Sequence, residues 1–251
     1  MQVLMASSLG IIVALPQELA AVEAAIPQAE RQQVKLVCAG EGADAATRAV
    51  QDILGAVDAP PLLCSTGFCG GLADGVSVGD IVLADAILSA GGGQRQAVQF
   101  EPLGLDGLRL ALTEARIKYH VGALVSVASV VAKPKAKREL GALHKALAAD
   151  MESFAIAVGR SSGSPCDPEG RPTGPGFFAL RVVSDAVNDE LPAEIGSFLD
   201  ERGRVRLGSV ARFALRSPRN ARTLLQLKGH LDKATARLTA AWRAVWAAMP
   251  R

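Results

Sequence analysis

Residues 62–72 have the sequence LLCSTGFCGGL, and they carry the strongest single indication of the fold. The first half of this stretch, 62–66, is a short apolar run of the kind that forms a strand buried on both faces. The second half contains Gly67, Gly70 and Gly71, and glycines after a strand let the backbone approach a ligand closely. An ordinary tight turn uses glycine in the same way, so this stretch alone leaves both interpretations open.

Apolar runs of the same kind recur along the chain, at 10–14, 35–39, 80–84, 123–127 and 177–184. Between them lie stretches with helical spacing of apolar residues, among them 43–54 and 152–159. This alternation predicts an α/β layered fold, followed by a C-terminal helical extension. The chain has 251 residues, of which 49% are hydrophobic, and this excludes an intrinsically disordered protein.

The cysteines and histidines give no indication of a metal site or a cofactor. The four cysteines have no paired CxxC spacing, and the three histidines are scattered. No apolar run approaches the ~20 residues that span a bilayer, and no positive charge precedes the apolar N-terminal residues as in a secretory signal. We therefore expect a cytoplasmic protein with reduced thiols and without a cofactor.

The charge is distributed unevenly, which suggests a division into residues 1–201 and 202–251. The second part has twelve basic residues and one acidic residue, a net charge of +11, whereas the first has 15 basic and 24 acidic residues, a net charge of −9. Leu224, Leu238, Trp242 and Val245 form an apolar stripe along a predicted helix of the basic part. This helix either docks on an anionic membrane, at the inner face of the cytoplasmic membrane, or packs on the acidic body. Nucleic-acid binding is disfavoured, because the basic part has few aromatic residues for stacking on bases.

Polar residues occur at four places where an α/β sheet would gather its ligand-binding groups; three follow or end predicted strands, and the acids at 150–152 lie at the start of a predicted helix. They are Glu18, the glycines of 66–71, the acids at 150–152, and Asp185. A carboxylate in apolar surroundings, such as Glu18, suits a general base, and a partly desolvated Asp185 suits a proton donor. Glu152 could accept hydrogen bonds from vicinal sugar hydroxyls. Each acid also fits an ordinary place at a helix N-terminus or cap.

Residues 40–45 match the GxGxxA pattern of dinucleotide-binding folds, with Asp58 near the distance expected for a ribose contact. The next apparent strand, however, begins only at Leu62, after Asp58, and a separate strand precedes the motif. Dinucleotide binding is therefore a weak alternative.

The four places, in this order, resemble the superfamily of purine nucleoside phosphorylases and methylthioadenosine/adenosylhomocysteine nucleosidases. The resemblance covers residues 9–190 and rests on 10–14 with Glu18, on 65–72 followed by VGDIV at 78–82, on 150–152 and on Ser184 with Asp185. Within the superfamily, 66–72, 150–153 and the tail at 205–227 look most like the hopanoid-associated subfamily, which is thought to remove adenine from adenosylhopane.

This resemblance implies a layered αβα sandwich with a central mixed β-sheet, and it implies roles for individual residues. Asp185 would protonate N7 of adenine, and Ser184 would orient that carboxyl group. Glu152 would hold the ribose hydroxyls, with Met151 packed on the sugar, and Glu18 would activate the attacking water. The same resemblance implies three further substrate-binding positions: Phe68, Gly70 and Val130. It also implies a homo-oligomer, for which we expect a dimer.

The chain departs from the pattern of its relatives at three positions. Ser65 stands where phosphorylases have a phosphate-binding arginine, which favours water over inorganic phosphate as the nucleophile. Phe68 stands where hydrolases often have serine, and Val130 where an aromatic residue stacks on the base. A phosphate-dependent phosphorylase and a methylthioadenosine/adenosylhomocysteine nucleosidase both remain alternatives.

Overall fold

The computed structural model describes residues 9–55, 60–91, 96–98, 104–160, 174–198, 200 and 205–249. The strands within these residues are β1 (Leu9–Val13), β2 (Val34–Cys38), β3 (Leu62–Gly71), β4 (Ile81–Ser89), β5 (Gln96–Val98), β6 (Tyr119–Ser126), β7 (Ala146–Asp150) and β8 (Gly176–Asp185). The α-helices are α1 (Pro16–Glu23), α2 (Ala43–Leu54), α3 (Leu105–Glu114), α4 (Pro134–His144), α5 (Ser153–Gly159), α6 (Leu207–Arg216) and α7 (Pro218–Ala248). Short 3-10 helices occur at Gln28–Gln33 and Ile195–Ser197.

The strands form one mixed sheet, as the sequence predicts. Strand β1 pairs in parallel with β2 and β3, and β8 pairs in parallel with β3 but antiparallel with β4. Strand β3 also pairs antiparallel with β7 at its last two residues. The C-terminal ends of β3, β7 and β8 therefore lie side by side, and the polar residues at these ends are brought together.

Helices cover both faces of the sheet, which confirms the predicted αβα layering. Side chains of a strand point alternately to opposite faces. In β1, Ile11 faces a core formed with α1, α3 and α7, whereas Ile12 faces a core formed with α2 and α5. Both isoleucines are buried, and this explains why the strands are uninterrupted apolar runs.

The glycines of 66–71 lie inside β3, so their interpretation as an ordinary tight turn is wrong. The strand continues to Gly71 because β8 pairs with it along nearly its whole length. Gly67 has a φ of +139°, and a Cβ atom there would lie 2.3 Å from a carboxylate oxygen of Glu18. At Gly70 a Cβ atom would lie 3.1 Å from Oδ2 of Asp185. These glycines thus make room for two acidic side chains.

Helix α7 has 31 residues, and its two halves have different surroundings. It begins at Pro218, whose missing N–H costs nothing at the first helical position, and the Ser217 hydroxyl accepts a hydrogen bond from the Asn220 amide. The second half buries Leu238, Trp242 and Val245 against the sheet. The predicted apolar stripe in this half therefore packs on the body. The boundary at residue 201 stays a prediction.

Two strands lie where the sequence pattern did not predict them, β5 and β7. Strand β7 has the sequence ALAAD, and alanine favours helices over strands, so only its pairing with β6 and β3 identifies it. The predicted loops at 91–95 and 161–176, together with Asp58, lie wholly or mostly outside the described residues. None of the described helices is long and apolar enough to cross a membrane.

Candidate active site

A cavity of about 1060 Å³ opens where the ends of β3, β7 and β8 meet. All eight residues that the sequence analysis selected for the site line it: Glu18, Phe68, Gly70, Val130, Met151, Glu152, Ser184 and Asp185. The structure thus brings together positions that are up to 167 residues apart in the sequence. Their chemical roles stay predictions.

Glu18 is almost completely buried, and backbone amides hold its carboxylate in place. Oε2 accepts hydrogen bonds from the amides of Ala14 and Leu15, both at 2.8 Å. Oε1 accepts a hydrogen bond of 2.6 Å from the Phe68 amide. Burial raises the pKa of the Glu18 carboxyl, although the charge of Arg181 and these hydrogen bonds oppose the rise. A fixed carboxylate with a raised pKa has the properties of a general base.

Arg181 connects the acidic residues below the floor of the cavity, and the sequence analysis gave it no role. Its guanidinium group lies 2.8 Å from Asp150 and 3.5 Å from Glu152. Nη2 also donates to the hydroxyl of Ser65, at 2.7 Å, and to that of Ser153, at 3.0 Å. Burial opposes the charge of this side chain, but the nearby carboxylates outweigh that effect and raise the pKa of Arg181. An arginine inside an apolar strand is itself a sequence signal, since a buried charge needs partners.

Glu152 precedes the first turn of α5, at the edge of the cavity. Its Oε1 accepts a hydrogen bond of 2.9 Å from the Gly42 amide. Burial raises the pKa of the Glu152 carboxyl to about 7, and the charge of Asp150 adds to the rise while Arg181 opposes it. The Gly42 amide therefore donates to a carboxylate of this chain rather than being free for a pyrophosphate. This argues against the dinucleotide-binding interpretation of 40–45.

Asp185 lies at the end of β8 and forms a buried ion pair that the sequence analysis missed. The ammonium group of Lys137, on α4, is 2.5 Å from Oδ2 of Asp185. The Lys137 side chain is 1% exposed. Lys137 also donates to the carbonyl oxygens of Ala186, at 2.9 Å, and Asp189, at 2.8 Å. The Ser184 hydroxyl donates to the other carboxylate oxygen, Oδ1, at 2.8 Å. Both oxygens of Asp185 are thus oriented by fixed donors.

The cavity continues away from these acids along an apolar wall. Leu191, Ile195 and Phe198 line it, followed by side chains of α6 and of the first half of α7. The lining side chains of these two helices include Leu207, Val210, Leu224, Leu225, Leu227 and Leu231. We call the region around Glu18, Glu152 and Asp185 the acidic end, and the region lined by these six side chains the apolar end.

A family model described as the phosphorylase superfamily matches residues 8–214. The chain belongs to this superfamily. A comparison with curated proteins finds no match.

Solved structures with this superfamily fold resemble the chain over nearly its whole length. The 5′-methylthioadenosine/S-adenosylhomocysteine nucleosidase of Helicobacter pylori has 13% identity and a TM-score of 0.68, with 98% of this chain and 99% of that chain covered. The futalosine hydrolase of the same organism has 14% identity and a TM-score of 0.68, with 97% and 98% covered. The nucleosidase from S. pneumoniae has 20% identity and a TM-score of 0.63, with 94% and 98% covered. At these identities the likeness shows the fold.

Proposed function

We propose that this phosphorylase-superfamily protein hydrolyses the N-glycosidic bond of an adenine nucleoside whose 5′ position carries a large apolar group. The substrate we propose is adenosylhopane, so that the reaction releases adenine during hopanoid lipid biosynthesis. One observation carries the proposal: a single cavity joins three oriented carboxylates to a long apolar wall. Its volume of about 1060 Å³ is slightly larger than that of most ligand pockets, which have ~300–1,000 Å³.

In the proposed reaction the bond between C1′ of the ribose and N9 of adenine breaks, and its electron pair moves into the purine. Lys137 passes a proton to the Asp185 carboxylate across their hydrogen bond, and Asp185 passes it to N7, so adenine leaves as a neutral molecule. Glu152 accepts hydrogen bonds from the ribose hydroxyls. Water adds to C1′ and gives a proton to Glu18. Before the next turnover Glu18 loses this proton and Lys137 regains one.

The charge of the cavity favours water over phosphate as the nucleophile. Its lining includes six acidic residues and two basic ones, Lys137 and Lys228. Each of these lysines pairs with an acid, Asp185 or Asp232, and Arg181 pairs with Asp150 and Glu152. A phosphate dianion would meet excess negative charge, whereas a sugar that gains positive charge in the transition state would be stabilised.

The test is adenine release from adenosylhopane, with and without inorganic phosphate, with identification of the sugar product. We expect release at the same rate under both conditions, and a product with a free 1-hydroxyl group. A sugar 1-phosphate, formed only with phosphate, would make the protein a phosphorylase. Absence of adenine under both conditions would refute the proposal.

A second candidate is cleavage of methylthioadenosine or adenosylhomocysteine. The similar solved structures favour it, since several of those proteins are nucleosidases for these compounds. A substrate panel separates the two candidates, because a small 5′ substituent leaves the apolar end unfilled. We further propose that the protein is a homodimer in the cytoplasm and works at the inner face of the cytoplasmic membrane.

A further inference from the structure

Apolar side chains at the rim of the cavity are unusually exposed. Val205, Leu207 and Leu225 line the cavity and are 58%, 77% and 70% exposed. Leu215, on the same pair of helices, is 88% exposed. Scattered exposed leucines need no explanation, but a group of them around the mouth of a cavity indicates a surface that a partner covers. We call residues 205–231, which include α6 and the first half of α7, the rim segment.

The rim segment is strongly basic as well as apolar. It contains six basic residues and no acidic residue, and all six are exposed: Arg206, Arg212, Arg216, Arg219, Arg222 and Lys228. Arg216 pairs with Glu194 and Lys228 with Asp232, both outside the segment. The segment contains no acid that would offset the other four charges. Exposed leucines between arginines match the chemistry of an anionic lipid surface, with apolar chains beneath charged headgroups.

The second half of α7 differs in that its apolar stripe is already covered. Leu238 and Trp242 are completely buried, and the Trp242 indole donates to the Thr66 hydroxyl at 3.0 Å. The apolar surface of α7 that is left for a partner therefore lies in its first half, within the rim segment at the mouth of the cavity.

We propose that the rim segment docks on an anionic lipid bilayer, so that the cavity opens towards the membrane. Leu207, Leu215 and Leu225 enter the apolar layer, and the arginines contact anionic headgroups. A lipid-linked nucleoside can then pass into the apolar end without crossing water. Only this last step rests on the proposed function, because the docking itself needs no substrate.

The test is flotation of the full chain with vesicles of phosphatidylglycerol and phosphatidylcholine, compared with phosphatidylcholine alone, without nucleoside. We expect binding to the mixed vesicles that weakens with salt, and little binding to the neutral ones. The double variant Arg212→Gln/Arg219→Gln should bind about 25-fold more weakly, from about fivefold per charge. Leu215→Ser should also bind several-fold more weakly.

Matched controls carry the same kinds of change elsewhere on the surface. Arg48→Gln/Lys135→Gln removes two exposed charges, and Leu143→Ser removes a leucine that is 71% exposed. Both controls should bind like the unchanged chain. All variants should cleave a soluble adenine nucleoside at the unchanged rate, since none of the altered residues lines the cavity.

Several results would overturn the docking proposal. They are absence of binding to mixed vesicles, equal binding to neutral vesicles, or equal losses in the controls. A chain that is dimeric in solution, and that Leu215→Ser makes monomeric, would assign the rim segment to a second copy instead. Vesicle binding without cleavage of any adenine nucleoside would refute the proposed function but leave the docking intact.

Discussion

The acidic end and the apolar end of the cavity differ in how they are built. Strand ends, buried ion pairs and backbone amides hold Glu18, Glu152 and Asp185, so each carboxylate has fixed partners. The apolar end consists of half-buried or exposed side chains on α6 and α7. We infer that the acidic end performs the chemistry on any nucleoside, whereas the apolar end selects the 5′ group. Variants at the two ends should therefore change different kinetic quantities.

The largest effect is expected from Asp185→Asn. Asparagine cannot give a proton to N7 of adenine, and general acid catalysis contributes about 10²–10⁴-fold to rates. We expect kcat to fall by about that factor for every adenine nucleoside, as measured by adenine release. The matched control is Asp232→Asn at the apolar end, which should change kcat no more than about fivefold, because an exposed ion pair contributes at most about 1 kcal/mol. Near-normal turnover by Asp185→Asn would refute the assignment of Asp185 as the proton donor.

Lys137→Met should be the next most damaging change. It leaves Asp185 buried without its partner, and breaking a buried ion pair costs about 3–5 kcal/mol in the free energy of unfolding. We expect kcat to fall roughly 10–100-fold, as for a loss of about 1.5–3 kcal/mol in a charged hydrogen bond. Urea unfolding and steady-state kinetics measure the two effects.

Two further lysine variants separate positioning from general stability. Lys137→Arg keeps the charge and should recover most of the stability but only part of kcat. Lys135→Met, on the exposed side of the same helix, should change neither quantity. Equal kcat in Lys137→Met and the unchanged chain would show that Asp185 needs no such partner.

The pH dependence tests Glu152 at the acidic end. The pKa of this carboxyl is raised to about 7, so it is ionised above that pH and protonated below it. Only the ionised form can accept a hydrogen bond with each oxygen, so kcat/KM should decrease as the pH falls through about 7. Glu152→Gln should lower kcat/KM by roughly 10–100-fold and abolish its decrease at low pH. A pH profile of Glu152→Gln that matches that of the unchanged chain would contradict the assignment.

The smallest effect is expected at the apolar end. Leu224→Ala removes a half-buried side chain from the cavity wall, and apolar contacts of this size contribute about 1–2 kcal/mol. We expect kcat/KM for adenosylhopane to fall roughly tenfold, with no change for methylthioadenosine. An equal fall of kcat/KM with both substrates would contradict the claim that the apolar end selects the 5′ group.

The same contrast explains what the sequence could predict. Apolar runs predict strands, and a sheet gathers the residues at strand ends, so Glu18 and Asp185 could be placed near one edge of the sheet. The resemblance to the superfamily was needed to assign them, together with Glu152, to one acidic end. Lys137 could not be assigned, because it belongs to a run of basic residues that is typical of an exposed helix. Arg181 could have been identified as a buried charge from its apolar neighbours.

The apolar end could not be predicted, because an amphipathic helix does not reveal what covers its apolar face. The stripe of α7 looked continuous in sequence, yet Leu238 is buried against the sheet whereas Leu224 lies half-buried in the cavity wall. Only the packing of the whole chain distinguishes these two leucines. Strand β7 was missed for a related reason, since its alanines became a strand through pairing with neighbours.

The dependence of kcat/KM on the length of the apolar 5′ group tests the central claim most directly. Adenosine, methylthioadenosine, 5′-alkylthio analogues of increasing length and adenosylhopane would be compared in one assay. We expect kcat/KM to rise by up to roughly fourfold for each methylene that the apolar end buries, and to be highest for adenosylhopane. A value that is independent of length, or that is highest for methylthioadenosine, would contradict the claim that the cavity recognises a lipid-linked nucleoside.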